Sequence, residues 1–160
     1  MNSMSSNKAD NARQRRIAIA VARFNERVTG MMLDGCRQTL LEAGLAEQDL
    51  EIHQVPGAWE LPLACQLLAG SGRFHAVIAI GAVIRGETAH FDFISAECAA
   101  GLQRVGLDTG VPVAFGVLTA ENGDQALERA DPARKNKGRE AALAALDMIA
   151  LKAELAGDHG

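Results

Sequence analysis

With 160 residues, 48% of them hydrophobic, and a net charge of −4, the chain can bury one substantial core and carries no cationic surplus for nucleic acid. No apolar run approaches the ~20 residues that span a bilayer. Cys36, Cys65 and Cys98 are odd in number, far apart and set among apolar residues, so they read as small buried side chains of a cytoplasmic protein, not as a disulfide framework or a metal site.

The first 16 residues, MNSMSSNKADNARQRR, lack the apolar centre of a secretory signal and read as a flexible leader, with residues 17–156 as a single domain. Ile17 to Val21 is a short strand. A helix from Val28 to Ala43 sets Met32, Cys36, Leu40 and Ala43 on one face, with Gly44 as its stop. Glu51 to Val55 is a second strand, ended by Pro56-Gly57, and Ala58-Trp59-Glu60-Leu61-Pro62 leads into a helix that runs to Ala69. Ala76 to Ile84 is unbroken, apolar and β-branched, the pattern of a strand buried on both faces. It stops at Arg85-Gly86-Glu87-Thr88, and a helix begins near Ala89 and reaches Val105, with Phe93, Cys98, Ala99 and Leu102 toward one side. Val111 to Leu118 is a fourth strand. A short helix from Asn122 to Ala130 and a last one from Gly138 to Leu155 follow, the latter aligning Leu143, Leu146, Ile149 or Ala150, and Ala153.

Short apolar strands alternating with helices imply parallel pairing through right-handed crossovers. The expected fold is α/β, a three-layer α/β/α sandwich on a four-stranded parallel sheet in flavodoxin-like order. Ligands of such sheets bind at the carboxyl ends of the strands. Here that edge carries Phe24, Ala58-Trp59-Glu60, the junction from Arg85 to His90, and the segment after Phe115. A buried strand that feeds a Gly/Thr turn and then a helix offers an anion the free amides of the first helical turn; His90 would stand beside it, or serve only as a helix-capping or packing histidine.

The spacing Gly81-x4-Gly86-Glu87-Thr88 is that of a Walker A loop, but Glu87 occupies the lysine position and would repel phosphates, so a nucleotide triphosphatase is rejected. No dinucleotide fingerprint, H-E-x-x-H motif or paired metal-ligand spacing is present. His53, His75 and His159 read as exposed. Phe24 and Trp59 suit a core or interface as well as a stacking platform. Arg129, Arg134, Lys135, Lys137 and Arg139 form either a solvated charged stretch or part of a phosphate clamp, the latter supplied from a neighbouring subunit. The residues alone leave open an enzyme, a non-catalytic flavin- or nucleotide-binding module, and a structural shell protein.

Taken together, Gly81 to Phe93 (GAVIRGETAHFDF), Ala22-Arg23-Phe24-Asn25, Val55 to Pro62, Val111 to Thr119, Gln125 to Ala130 and Asn136-Lys137-Gly138 resemble, in order and spacing, the motifs of the 6,7-dimethyl-8-ribityllumazine synthase family. The resemblance implies a cofactor-free transferase of riboflavin synthesis that joins 5-amino-6-(D-ribitylamino)uracil to 3,4-dihydroxy-2-butanone 4-phosphate. It implies that Phe24 stacks on the pyrimidine, that Ala58, Trp59 and Glu60 hold the ribityl chain and ring edge, and that Ala82, Val83 and Ile84 line the ring site. Glu87 and Thr88 would bind phosphate through backbone amides, His90 would move protons, Phe115 of an adjacent subunit would close the pocket, and Arg129 would complete the phosphate site. Trp59 stands where many members have Phe, and Glu87 where a small residue is common. The family's members form homopentamers with active sites between subunits, and in some of them twelve pentamers close into a capsid.

Overall fold

The computed structural model describes residues 15–86 and 90–157. The leader reading for residues 1–16 therefore falls almost wholly outside the described residues, as does His159. The elements run β1 (Ile17–Ala22), α1 (Glu26–Glu42), β2 (Leu50–Val55), α2 (Leu61–Gly70), β3 (Ala76–Ile84), α3 (Phe91–Thr109), β4 (Val113–Ala120), α4 (Gly123–Ala130) and α5 (Lys137–Leu155). All strand pairs are parallel and the sheet order is β2-β1-β3-β4. That is the flavodoxin order without its fifth strand, so the sheet is not strictly flavodoxin-like.

Strands β1 and β3 are apolar throughout and buried at every position, as a strand covered on both faces must be. Their alternation sorts large from small side chains. Ile17, Ile19, Val21, Ile78 and Ile80 point into one core layer with Met32, Cys36 and Leu40 of α1 and the alanines of α4 and α5. Ala18, Ala20, Val77, Ala79 and Val83 meet Leu61 and Cys65 of α2 and Cys98, Leu102 and Val105 of α3 on the other face.

The observed elements correct several expectations. Helix α3 starts at Phe91, not near Ala89, and continues past Val105 to Thr109, where Gly110 takes the left-handed conformation (φ 71°). His90 is thus the residue capping the helix, not a member of its first turn. Phe93 does not join Cys98 and Leu102 in the core; it is exposed, and Ile94 packs inward instead. Strand β4 begins at Val113, two residues later than expected, because Pro112 has no amide to donate; its carbonyl still accepts the Val77 amide at 2.9 Å. The strand ends at Ala120, two residues beyond the expected Leu118, with Phe115 inside it as expected.

The buried stripe of α5 is Gly138, Ala141, Ala142 and Ala145, whereas Leu143 is exposed. Small residues are required there because α5 lies almost on the backbone of α1: a Cβ at Gly138 would overlap the Met32 carbonyl. The chain enters α5 through Asn136 in the left-handed region (φ 48°), whose side chain accepts from the Arg139 amide at 3.3 Å and packs over Gly35. Asn tolerates this conformation better than any bulky residue.

All three cysteines are free and buried. Burial pushes the Cys36 and Cys65 thiols up to about 12 and Cys98 to about 11, from an ordinary 9.0.

Two stability predictions follow from this packing. Gly138→Ala is expected to lower stability by about 1–3 kcal/mol through overlap with immovable backbone, whereas Gly30→Ala, where a Cβ meets nothing within 4 Å, should raise it by about 0.5–1 kcal/mol. Urea unfolding at fixed protein concentration reads both. The native thiols stay protonated above pH 9 while unfolded ones ionise, so the unfolded state sheds protons that the folded state keeps. Their contribution to stability is complete below pH 9 and is lost progressively until the native thiols ionise near 11–12. The unfolding midpoint should accordingly fall between pH 8 and 10, and thiol reagents at pH 8 should label no cysteine until the chain unfolds.

Candidate active site

The β1–β2 ladder continues beyond the strand ends. The Arg23 amide donates to the Val55 carbonyl at 2.8 Å, and the Phe24 amide donates to the Pro56 carbonyl at 3.0 Å. This carries Phe24 alongside the Gly57-Ala58-Trp59 turn, where Ala58–Glu60 form one turn of 3-10 helix. Asn25 then adopts the left-handed region (φ 64°) and caps α1 with its carbonyl, while its side-chain amide donates to the Ala82 carbonyl at 3.1 Å. A single side chain thus ties the Phe24 turn to the last residues of β3.

The result is a cavity of about 290 Å³ lined by Phe24, Gly57, Ala58, Trp59, Ala82, Val83, Ile84 and Ile94. Ala82, Val83 and Ile84 are buried and form an apolar floor, and Phe24 and Trp59 keep 56% and 55% of their surface open above it. Two rings over a flat apolar floor suit a planar heterocycle. Six residues expected at the ring site are brought together here. Gly57 and Ile94 were not expected; Ile94 follows from the true start of α3, which turns this residue inward. Phe93 was also missed: its ring stacks on Trp59, with centroids 6.1 Å apart and planes 16° from parallel.

Glu60 is half-buried beside this cavity without lining it, and its amide donates to the Gly57 carbonyl at 3.1 Å. His90 is exposed and caps α3, its carbonyl accepting the Ile94 amide at 2.9 Å. The residue therefore stands one helical turn before Ile94 of the cavity wall and does not line the cavity. Glu87 and Thr88 lie outside the described residues.

Phe115 and Arg129 belong to a second cavity, of about 540 Å³, together with Met32, Thr119, Lys135, Lys137 and Glu140. Arg129 is oriented by its Nη1, which donates to the Thr119 carbonyl at 2.6 Å. Lys135 and Lys137 line the same cavity as Arg129, Lys137 paired there with Glu140 at 3.0 Å, whereas Arg134 and Arg139 pair with Glu128 and Glu42 outside it. The two cavities share no residue within one chain.

An α/β domain with an apolar recess at the carboxyl edge of its sheet, near a helix capped by a histidine, falls in the class of small-molecule binding and transforming domains of open parallel sheets. The chain belongs to the 6,7-dimethyl-8-ribityllumazine synthase family, whose model matches residues 14–153. It is 51% identical over 139 residues to the 6,7-dimethyl-8-ribityllumazine synthase of Edwardsiella ictaluri, covering 86% of this chain and 89% of that protein. The enzymes of the same description from Syntrophus aciditrophicus and Halorhodospira halophila are 48% and 49% identical over 140 residues; each alignment covers 88% of this chain, and 91% and 90% of the respective relatives.

Trp59 is the chain's sole tryptophan and forms part of the cavity wall, which makes it a reporter of occupancy. Riboflavin, as a planar probe, should quench its emission, and Phe24→Ala should weaken that binding by about 3- to 10-fold, the range expected for one lost ring stack. Fluorescence titration of the two proteins measures the difference.

Proposed function

We propose that the protein condenses 5-amino-6-(D-ribitylamino)uracil with 3,4-dihydroxy-2-butanone 4-phosphate to 6,7-dimethyl-8-ribityllumazine, releasing phosphate and water. The observation that carries this reading is the cavity that gathers Phe24, Ala58, Trp59 and Ala82 to Ile84, in a chain of this family. The pyrimidine lies against Phe24 on the apolar floor, with its ribityl chain along Ala58, Trp59 and Glu60. The phosphate rests on the amides of Glu87 and Thr88, in the segment that precedes α3. The amine adds to the ketone, phosphate leaves by elimination, and a second imine closes the ring. Each step moves a proton, and His90 serves as acid and base in turn. Holding both substrates side by side supplies much of the rate by removing the entropic cost of their encounter.

Phe115 and Arg129 act from the neighbouring subunit of a homopentamer. Supporting this is their place in a separate cavity and the 51% exposure of the Phe115 ring on strand β4. Arg129 with Lys135 and Lys137 then forms the cationic half of the phosphate site. We place the enzyme in the cytoplasm, in keeping with its three free thiols, and treat residues 17–156 as one domain. Assembly of twelve pentamers into a capsid is a further reading of the same family membership.

Mixing the two substrates with the protein should generate lumazine fluorescence and inorganic phosphate together. Stoichiometric riboflavin binding without turnover would instead mark a non-catalytic flavin-binding protein. His90→Ala should lower kcat by about 100-fold or more with binding largely intact. Arg129→Ala should raise KM for the phosphate substrate about 10- to 100-fold, the range for a lost charged hydrogen bond. Unchanged kinetics in both variants would refute these roles. Co-refolding Phe24→Ala with Arg129→Ala subunits should restore part of the activity that each lacks, since some shared sites would then be wild type on both sides; no recovery would place both residues in one subunit's site.

A further inference from the structure

The geometry points to Arg85 as the positioning residue for His90, a role that rests on the synthase reading above. The Arg85 amide extends the β3–β4 ladder by donating to the Ala120 carbonyl at 2.9 Å. Beyond the ladder its guanidinium reaches three separate partners. Nε donates to Glu121 Oε2 at 2.9 Å, Nη2 donates to Asp92 Oδ1 at 3.3 Å, and the group lies 4.4 Å from the centroid of the Phe91 ring. Glu121 directly follows β4, and Asp92 lies in the first turn of α3. Phe91 is the residue after His90 and packs against the core shared by α2 and α3.

One planar fork therefore fixes the distance between the strand end that precedes His90 and the helix start that carries it. Exposed ion pairs taken singly contribute little to stability. The significance here is angular: two donors at a set separation and a flat face meet partners from two elements at once. Without the guanidinium, Asp92 and Glu121 would present like charges to the same point, and their repulsion would drive the start of α3 away from β4. His90 would move with it. A lysine could satisfy one carboxylate but has no plane to lie on Phe91 and no second donor at a fixed angle.

The test compares wild type with Arg85→Ala, Arg85→Lys and the milder Glu121→Gln, the last guarding against a failure of Arg85→Ala to fold. In Arg85→Ala, kcat should fall about 10- to 100-fold, the scale of an ångström-level misplacement of a reacting group. KM for the pyrimidine should change less than kcat, since Arg85 does not line its cavity and only Ile94 of the loosened turn does. Arg85→Lys should recover only a minor part of the loss, and Glu121→Gln should show a smaller drop of the same kind. Hydrogen exchange of the amides at 94–97, the first that are bonded within α3, should accelerate in Arg85→Ala while the rest of the protein keeps its protection. Wild-type kcat in Arg85→Ala, full recovery by lysine, or unaltered exchange at 94–97 would overturn the proposal. A wild-type protein that forms no lumazine would sink the synthase reading instead, and the exchange measurement would still decide whether Arg85 holds the helix start.

Discussion

Strand β3 is bonded on both sides: Ala76 to Ile80 pair with β1, and Val77 to Ile84 pair with β4. Every one of its nine residues is buried, so neither a slide nor a rotation is available without exposing a face. A one-residue slip would exchange the layer of Ile78 and Ile80 with that of Val77 and Ala79, forcing large side chains under α2 and α3 where alanines now fit. The strand's last three residues, Ala82, Val83 and Ile84, inherit that rigidity. They are the floor of the ring cavity, and the groups around them are located by bonds to β3 or to its neighbours: Asn25 through the Ala82 carbonyl, Phe24 through the continued β1–β2 ladder, and Arg85 through the carbonyl of Ala120. The core sets the geometry and the loops borrow it.

A second constraint acts at the other cavity. Helix α5 can approach α1 only because Gly138 and its alanines offer no bulk, and Asn136 closes that contact over Gly35. This close approach draws the turn between α4 and α5 against the sheet and brings Lys135 and Lys137 to Arg129 beside β4. The cost is one non-glycine residue in the left-handed region, of order 1 kcal/mol. A well-packed contact on a buried helix can hold such strain in place, and here it lies directly next to cationic side chains.

Much of the fold was legible because β1 and β3 are near-continuous apolar runs, a signal that does not depend on context. The placement of Phe24, Ala58 and Trp59 around the end of β3 was also legible, since ligands of parallel sheets gather at that edge. The failures share a physical cause. Alanine and glycine stripes carry weak hydrophobic contrast, so the leucine at position 143 drew attention away from the face of α5 that is buried. Pro112 looks like part of an apolar strand, yet it cannot donate to the ladder. Contacts that unite distant segments, such as Arg85 with Asp92 and Glu121, or Phe93 with Trp59, have no local pattern at all. They exist only once β3 and β4 lie side by side and α3 has chosen its first residue.

The split between the two cavities has a structural logic of its own. Phe24 lies beyond the end of β1, whereas Phe115 pairs with Ala79, well below the carboxyl end of β3, on a strand with no partner on its outer side among the described residues. No rearrangement of loops could bring the two rings together in one chain, because both are fixed to the same rigid sheet. An edge strand with an exposed aromatic ring is also a surface that proteins normally blunt or cover. In the homopentamer proposed above, a neighbouring copy over β4 would resolve both problems in one contact: it would hide the edge and let Phe115 and the Arg129 cluster meet a ring cavity that they cannot reach at home. On the proposed function, assembly is a condition of the chemistry, since each subunit would hold the pyrimidine half of one site and the cationic half of the next.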